Sequence, residues 1–200
     1  MIDSEAIREG MRMKAIGISG SPRKNGNTEI ITGYILKAIE EEGNETELMS
    51  LSGLDIRPCT ACGACNNEET CPIKDDLFTV YEKMKASDAI VLATPVYYGS
   101  ATANMKALMD RTGFIVAHNG RLFEGKVGGP YAVARRSSQY FTQAQLTFWF
   151  HTLGFFVPGS IHPNMAFGRE KGEVEKDTEG METAWRFGKN IAFLLDKLKT

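Results

Sequence analysis

The chain has 200 residues, of which 42% are hydrophobic and 24% are charged, and this is enough for one globular domain with its own core. A formal net charge of −2 argues against nucleic-acid binding, and no run approaches the roughly 20 apolar residues of a membrane span. Without an apolar signal core at the N-terminus, we expect a cytoplasmic protein, and structural disulfides are rare in that compartment.

Strand-like and helix-like segments alternate along the chain. Residues 1–12 show no hydrophobic period and are predicted to be an N-terminal arm, or an extension ahead of a translation start at Met11 or Met13. Residues 13–200 are predicted to form a single domain, with strands over 14–19, 45–51, 89–97, 126–134 and 155–161 and helices over 27–43, 75–87, 101–113, 138–154 and about 177–199. This alternation predicts an α/β fold with a doubly wound five-stranded parallel sheet in the order 2-1-3-4-5, whose ligands bind beyond the carboxyl ends of the strands.

The loop after the first strand, "SGSPRKNGNT" over 19–28, is rich in groups that bind phosphate. It has neither the G-x-G-x-x-G fingerprint nor the spacing of a Walker A loop. It supplies cations at Arg23 and Lys24 and hydroxyl or amide groups at Ser19, Ser21, Asn25, Asn27 and Thr28. Because the next helix begins here, its free N–H groups also favour an anion. We predict a site for a terminal phosphate monoester; the alternative is a surface turn with a helix N-cap.

The loop after the second strand holds all four cysteines of the chain, at Cys59, Cys62, Cys65 and Cys71, inside a predicted cluster-binding loop over 57–74. Three thiolates separated by two residues each, followed by a fourth before a proline, match the run that binds a [4Fe–4S] cluster in bacterial ferredoxins. Structural zinc and redox thiol chemistry remain alternatives. We expect this loop on the same edge as the phosphate loop, with strand ends about 10 Å apart.

The loops after the third and fourth strands complete the predicted site. The third strand leads into an aromatic turn, Pro95, Val96, Tyr97, Tyr98 and Gly99, which offers ring contacts and backbone hydrogen bonds to a planar heterocycle. After the fourth strand, Arg135 or Arg136 can place positive charge near that heterocycle, and Ser137 or Ser138 can cap the next helix. The alternatives are half-buried boundary tyrosines, simple capping and solvated arginines.

The last third of the chain carries less specific signals. Residues 139–156 contain more aromatic side chains than one helix face can bury, which indicates a subunit contact. Residues 169–180 are predicted to be a solvated loop and the start of the last helix.

Three stretches, "GSPRKNGNT", "TPVYYGSATANMKALMDR" and the cysteine run, together resemble the iron–sulfur flavoproteins, which are flavodoxin-like members of the NADPH-dependent FMN reductase superfamily. The resemblance covers roughly 13–165. It implies FMN, with its phosphate at Ser21, Arg23, Asn27 and Thr28 and its ring near Pro95 to Gly99 and near Ser137. It also implies a [4Fe–4S] cluster on Cys59, Cys62, Cys65 and Cys71, a homodimer or homotetramer, and a ferredoxin-type electron donor.

These expectations describe an FMN-dependent oxidoreductase that passes electrons between a ferredoxin-type carrier, a [4Fe–4S] cluster and FMN, to a small-molecule or protein acceptor that the sequence does not identify. Two alternatives remain open. One is an NAD(P)H-dependent FMN or quinone reductase without a functional cluster, and the other is a non-enzymatic electron carrier or redox sensor.

Overall fold

A computed structural model describes residues 12–198, so the predicted arm lies outside the described residues except for its last residue. The five strands are β1 (Lys14–Ser19), β2 (Glu45–Ser50), β3 (Ala89–Pro95), β4 (Val127–Ala134) and β5 (Met165–Phe167). The five α-helices are α1 (Asn27–Glu40), α2 (Leu77–Lys85), α3 (Ala103–His118), α4 (Gln139–Thr152) and α5 (Thr178–Leu198), with 3₁₀ turns at Ala64–Asn66 and Glu173–Lys176. Within this part of the chain, no helix is long and apolar enough to cross a membrane.

The five strands form one parallel sheet in the order β2-β1-β3-β4-β5, which confirms the predicted topology. Ile16 of β1 pairs with Glu47 of β2 on one side and with Ile90 of β3 on the other. The central strand β3 is buried along almost its whole length, as its unbroken apolar run predicts. The carboxyl ends of β1, β3 and β4 therefore meet at one edge of the sheet.

Helices cover both faces of the sheet. On one face, α2, α3 and α4 pack against Ile16, Ile18, Ile90 and Leu92. On the other face, α1 and α5 pack against residues that alternate with these along the same strands. Because both faces of the sheet are buried, its central strands are apolar on both sides, as the sequence shows.

The two helices on the second face approach each other closely at Gly188 of α5. A Cβ atom at this position would lie 2.5 Å from the carbonyl oxygen of Ile35 and 2.7 Å from the Cβ atom of Ala38, both on α1. Because any larger side chain would push the two helices apart, this contact requires glycine.

The prediction of a fifth strand over 155–161 is wrong. Only Phe156 in that segment makes a β-bridge, with Val127, and β5 pairs with the last residues of β4, where Met165 lies opposite Ala132. Pro158 has no backbone N–H to continue the ladder, so the chain leaves the sheet after the bridge and returns at Asn164. The fifth strand position is thus filled by two short segments.

Candidate functional site: a nucleotide cleft and a cysteine cavity

The phosphate loop is fixed to the sheet and to α3 by hydrogen bonds of Gly20. Its N–H donates to the carbonyl oxygen of Ala93 at 2.7 Å, and its own carbonyl accepts from the hydroxyl of Thr102 at 2.7 Å. Thr102 also caps α3, where its side chain accepts from the N–H of Met105 at 3.4 Å. The first residues of this loop and the start of α3 are therefore held together at the edge of the sheet.

Glu29 holds the second half of the phosphate loop from below. Its side chain is buried and accepts from the N–H of Asn25 at 2.6 Å and from the hydroxyl of Ser50 at 2.5 Å. Asn25 has a φ of 51°, a left-handed conformation that asparagine tolerates better than most residues. The carboxylate thus ties the phosphate loop at Asn25 to the end of β2 at Ser50.

The N-terminus of α1 opens onto the loop as an anion site. Gly26 is the N-cap, and the first backbone bond of the helix runs from the N–H of Ile30 to the carbonyl of Gly26 at 3.1 Å. The N–H groups of residues 27–29 precede that bond, and the positive end of the helix dipole adds to them. No side chain caps this helix.

The aromatic turn after β3 is a tight two-residue turn. The N–H groups of Tyr97 and Ser100 each donate to the carbonyl oxygen of the other residue, at 2.9 and 3.0 Å. Tyr98 and Gly99 at its tip both have positive φ, of 52° and 78°. The side chain of Tyr98 is fully exposed, and that of Tyr97 is about half exposed.

These loops enclose a cleft of about 330 Å³. Seven of the predicted cofactor residues line it: Ser21, Arg23, Asn27, Thr28, Pro95, Val96 and Tyr97. Five do not line it: Ser19, Asn25, Tyr98, Gly99 and Ser137. Ser19 is fully buried and accepts from the N–H of Ser21 at 3.4 Å, so its side chain supports the loop from within.

A further wall of the cleft comes from residues 168–171, of which 169–171 were predicted to lie in a solvated loop. Gly168 follows β5 and donates to the carbonyl of Ala134 at 3.0 Å, and Gly168, Arg169 and Lys171 all line the cleft. The position of this segment in the chain could have indicated its role, because it also follows a strand of the parallel sheet and so reaches the same edge.

The charged residues that line the cleft are all of one sign. Among the residues that the structure describes, no acidic side chain lines it, whereas four cationic ones do: Arg23, Arg135, Arg169 and Lys171. Because the whole chain carries a net charge of −2, this distribution is not a reflection of composition. A cavity with this lining favours an anionic ligand.

The cysteine loop runs along α3, which holds it at three levels. The side chain of Asn104 donates to the carbonyl of Leu54 at 3.4 Å, and that of Arg111 donates to the carbonyl of Arg57 at 3.1 Å. At the end of the helix, the side chain of Asn119 donates to the carbonyl of Cys65 at 2.9 Å. The loop thus descends alongside the helix, away from the edge where it leaves β2.

All four cysteines line one cavity of about 240 Å³ at the lower part of this loop. All four are free thiols, and Cys65 has its pKa raised by burial and by the neighbouring charges of the other three. Arg111 donates to the sulfur of Cys71 at 3.2 Å. In the described part of the chain, no group of three or more His, Cys, Asp or Glu residues is arranged to hold a single metal ion.

Arg111 is the buried centre of the support for this cavity. It forms a two-point contact with Asp75, at 2.5 Å from Nη1 to Oδ2 and 3.1 Å from Nη2 to Oδ1, and the exposed fractions of the two side chains are 1% and 0%. Burial alone would raise the pKa of Asp75, but the hydrogen bonds from Arg111 and from the N–H groups of Arg57 and Leu77 lower it. The cysteine loop therefore rests on a buried ion pair.

The expectation that the cysteines lie at the same edge as the phosphate loop is wrong. The cleft adjoins the N-terminus of α3, whereas the cysteine cavity is lined by Arg111, Phe114, Ile115 and His118 in its second half. At 1.5 Å per residue, these positions lie about 12 to 22 Å along the helix from Ala103. The sequence placed the loop by the strand that precedes it, but its contacts with α3 decide where it goes.

Comparisons with known proteins give matches over most of the chain. The sequence profile of the family described as "NADPH-dependent FMN reductase" matches residues 13–170. The chain is 39% identical over 194 residues to an iron–sulfur flavoprotein of Methanocaldococcus jannaschii, which covers 94% of this chain and 100% of that protein. It is also 39% identical over 190 residues to an iron–sulfur flavoprotein of Methanosarcina thermophila, which covers 94% and 97% of the two chains.

Solved structures show the same fold at lower identity. RosB with a bound 8-demethyl-8-formylriboflavin-5′-phosphate intermediate superimposes with a TM-score of 0.72 at 17% identity, over 94% of this chain and 82% of that chain. A WrbA-like flavodoxin from Agrobacterium tumefaciens gives a TM-score of 0.66 at 17% identity, over 94% and 99% of the two chains.

Proposed function

The chain belongs to the NADPH-dependent FMN reductase family and, within it, to the iron–sulfur flavoproteins, and on that basis we propose that it passes electrons between a one-electron carrier, a [4Fe–4S] cluster and FMN. It is an FMN-dependent oxidoreductase with a flavodoxin-like fold. The observation that carries the finer proposal is that every cysteine of the chain lines a single cavity.

The cleft suits FMN because its two parts offer different chemistry. Ser21, Thr28 and the N-terminus of α1 provide the donors that a phosphate monoester needs, and Arg23 adds a cation. Pro95, Val96 and Tyr97 provide an apolar and aromatic wall for a planar ring. Bound FMN supplies chemistry with one or two electrons, while the residues around it bind it and shape its electrostatic environment.

The cysteine cavity suits an iron–sulfur cluster by the chemistry of its donors. Cys59, Cys62, Cys65 and Cys71 are the four thiol ligands that a cubane cluster uses, and they face one space with only small side chains between the first three. When bound, such a cluster supplies one-electron chemistry. Arg111 places a positive charge beside the thiolate of Cys71, and this charge offsets part of the negative charge of the site.

Exchange between the two sites is expected to cross a subunit boundary, because α3 separates them within one chain. Several large aromatic side chains are exposed on the elements that follow β3 and β4: Tyr98, Phe114, Tyr140, Phe141 and Phe148. Tyr98 is at the tip of the turn after β3, and Phe114 lines the cysteine cavity. We infer that copies of the chain associate through these exposed side chains as a homodimer or homotetramer, and that a cleft of one copy then faces a cysteine cavity of another.

The proposed electron donor is a ferredoxin-type carrier, and the acceptor is a small molecule or a protein. A second candidate, direct reduction by NAD(P)H, is favoured by the description of the family. Anaerobic stopped-flow mixing with NADPH separates the two: rapid bleaching of the flavin supports direct reduction, and no bleaching supports the carrier.

The proposal is tested by an anaerobic absorption spectrum combined with analysis of iron, sulfide and flavin. We expect one FMN and about four iron and four sulfide per chain, with broad absorption beyond the flavin bands. Flavin bands without iron would leave a flavin reductase that has no functional cluster. Zinc in place of iron would assign a structural role to the cysteine loop.

A further inference from the structure

We propose that the segment after β5, Gly168–Val174, is a cofactor-binding element whose Lys171 and Arg169 bind the phosphate of FMN. The proposal rests on the assignment of FMN to the cleft and adds a binding element on the far side of the phosphate loop. Both cationic residues line the cleft, although the sequence around them shows no phosphate-binding pattern.

The first argument is that this segment is attached to the phosphate helix itself. The side-chain amide of Asn27 donates to the carbonyl of Glu170 at 2.8 Å, and its oxygen accepts from the N–H of Val174 at 3.4 Å. Both ends of the amide are therefore used by the segment, so its backbone N–H, rather than its side chain, is the group that remains for a phosphate. The side chain of Arg23 also reaches across, to the carbonyl of Arg169 at 3.4 Å.

The second argument is that the segment approaches the start of α1 closely at Gly168, where only glycine fits. A Cβ atom at Gly168 would lie 2.8 Å from Nδ2 of Asn27 and 2.7 Å from the nitrogen of Val174. The missing side chain lets the segment turn directly over the start of α1. The residues that follow Gly168 are consequently held at the phosphate end of the cleft, beside Asn27.

The third argument is that the segment has its own internal support. One carboxylate oxygen of Glu173 accepts from the N–H of Arg169 at 2.7 Å and from the N–H of Glu170 at 2.8 Å, and these hydrogen bonds lower the pKa of Glu173. The turn is thus closed by the segment itself, and its cationic side chains are not needed for its shape.

The fourth argument is charge. A phosphate monoester carries about −1.5 to −2 charges near neutral pH, whereas the phosphate loop places only one cation, Arg23, in the lining of the cleft. Nε of Arg169 lies 3.1 Å from Oε1 of Glu170, and this ion pair is exposed, so water and salt weaken it. Lys171 lines the cleft and has no hydrogen bond or ion pair with any residue that the structure describes, so it is the freer of the two.

The experiment compares FMN with riboflavin, which has the same ring and no phosphate. Full-length protein is freed of flavin, and the dissociation constants of both flavins are measured by fluorescence for the wild type, Lys171→Gln and Arg169→Gln. Lys176→Gln is the matched control, because Lys176 belongs to the adjoining 3₁₀ turn and does not line the cleft. We expect each of the first two variants to weaken FMN binding about three- to tenfold, with unchanged riboflavin binding and an unchanged control.

Two results would overturn the proposal: FMN binding at wild-type strength in both variants, or equal losses for FMN and riboflavin, since the second would mean a change of fold rather than a lost phosphate contact. The proposed function fails in a different way. If the wild-type protein binds riboflavin as tightly as FMN, the cleft does not hold the phosphate at all. That result would overturn the assignment of FMN to the cleft and, with it, the role of the segment.

Discussion

Replacing Arg111 by methionine should destabilise the protein strongly, because it leaves a buried carboxylate without its partner. Arg111 and Asp75 form a two-point ion pair in which neither side chain is more than 1% exposed. Breaking a buried pair by removing one member costs about 3–5 kcal/mol, since the remaining charge keeps its desolvation penalty. Methionine retains most of the apolar volume, so a cavity adds little to that cost.

The expected loss corresponds to a fall in melting temperature of about 6 to 20 °C, at about 2 to 4 °C per kcal/mol for a domain of this size. The matched control is Lys106→Met on the same helix. Lys106 pairs with Asp110 at 2.5 Å, but both side chains are more than a third exposed, so its loss should cost at most about 0.5 kcal/mol. A second variant, Asp75→Asn with Arg111→Met, should be more stable than Arg111→Met alone, because the buried group is then uncharged.

The assay is urea unfolding of anaerobically purified protein at several pH values. Burial alone would raise the pKa of Asp75, but its hydrogen bonds with Arg111 and two backbone N–H groups lower it, so the net pKa lies below its usual value. The pair thus contributes stability above the unfolded pKa of about 3.9, and this contribution is lost as the pH falls through the lower folded pKa. The gap between wild type and Arg111→Met should be widest at neutral pH and shrink in acid. Equal losses for Arg111→Met and Lys106→Met, or a gap independent of pH, would refute the reasoning.

Three further predictions test separate parts of the molecule. Cys62→Ala should abolish cluster assembly and leave FMN bound; iron and flavin analysis measures both, and full iron content would contradict the ligand assignment. Gly188→Ala should cost about 1–3 kcal/mol in urea unfolding, because the new methyl group meets the Ile35 carbonyl at 2.5 Å, and FMN binding by the folded protein should not change. Arg135→Gln should lower the midpoint potential of bound FMN, because it removes a positive charge that favours the reduced, anionic flavin. A tenfold change in the ratio of the affinities for reduced and oxidised FMN corresponds to about 30 mV. Arg136→Gln, outside the lining of the cleft, should not lower the potential.

The topology of the sheet could be predicted from the sequence because its signals are local. The strand over 14–19 was placed with its observed bounds, and the buried run that forms β3 could not fit a half-exposed strand. The fifth strand could not be placed, since the apolar run at 155–161 contains Pro158, whereas the three residues of β5 are too few to show a period of two. Its position depends on pairing with the end of β4.

The cleft was predicted in part, and what was missed depends on contacts between distant segments. The loop after β1 and the turn after β3 carry recognisable residue types, and residues of both line the cleft. The sequence near Gly168 does not show that the following segment is bound by Asn27. The two partners of this contact, Asn27 and Glu170, are 143 residues apart along the chain. The position of the cysteine cavity has the same origin, because it is set by side chains of α3 rather than by the strand before the loop.

The attachment of the cysteine loop explains how the fold accommodates it. The loop leaves β2, which lies at the edge of the sheet and pairs only with β1, so the insertion interrupts no other strand. Its supports are Asn104 and Arg111 of α3 and Asn119, the residue that follows the helix, and each is hydrogen-bonded to a backbone carbonyl of the loop. Since a helix is stiff, the same element that caps the phosphate loop through Thr102 also fixes the distance to the cysteines. For the electron exchange that we propose, association of subunits rather than movement within one chain is therefore the route that we expect.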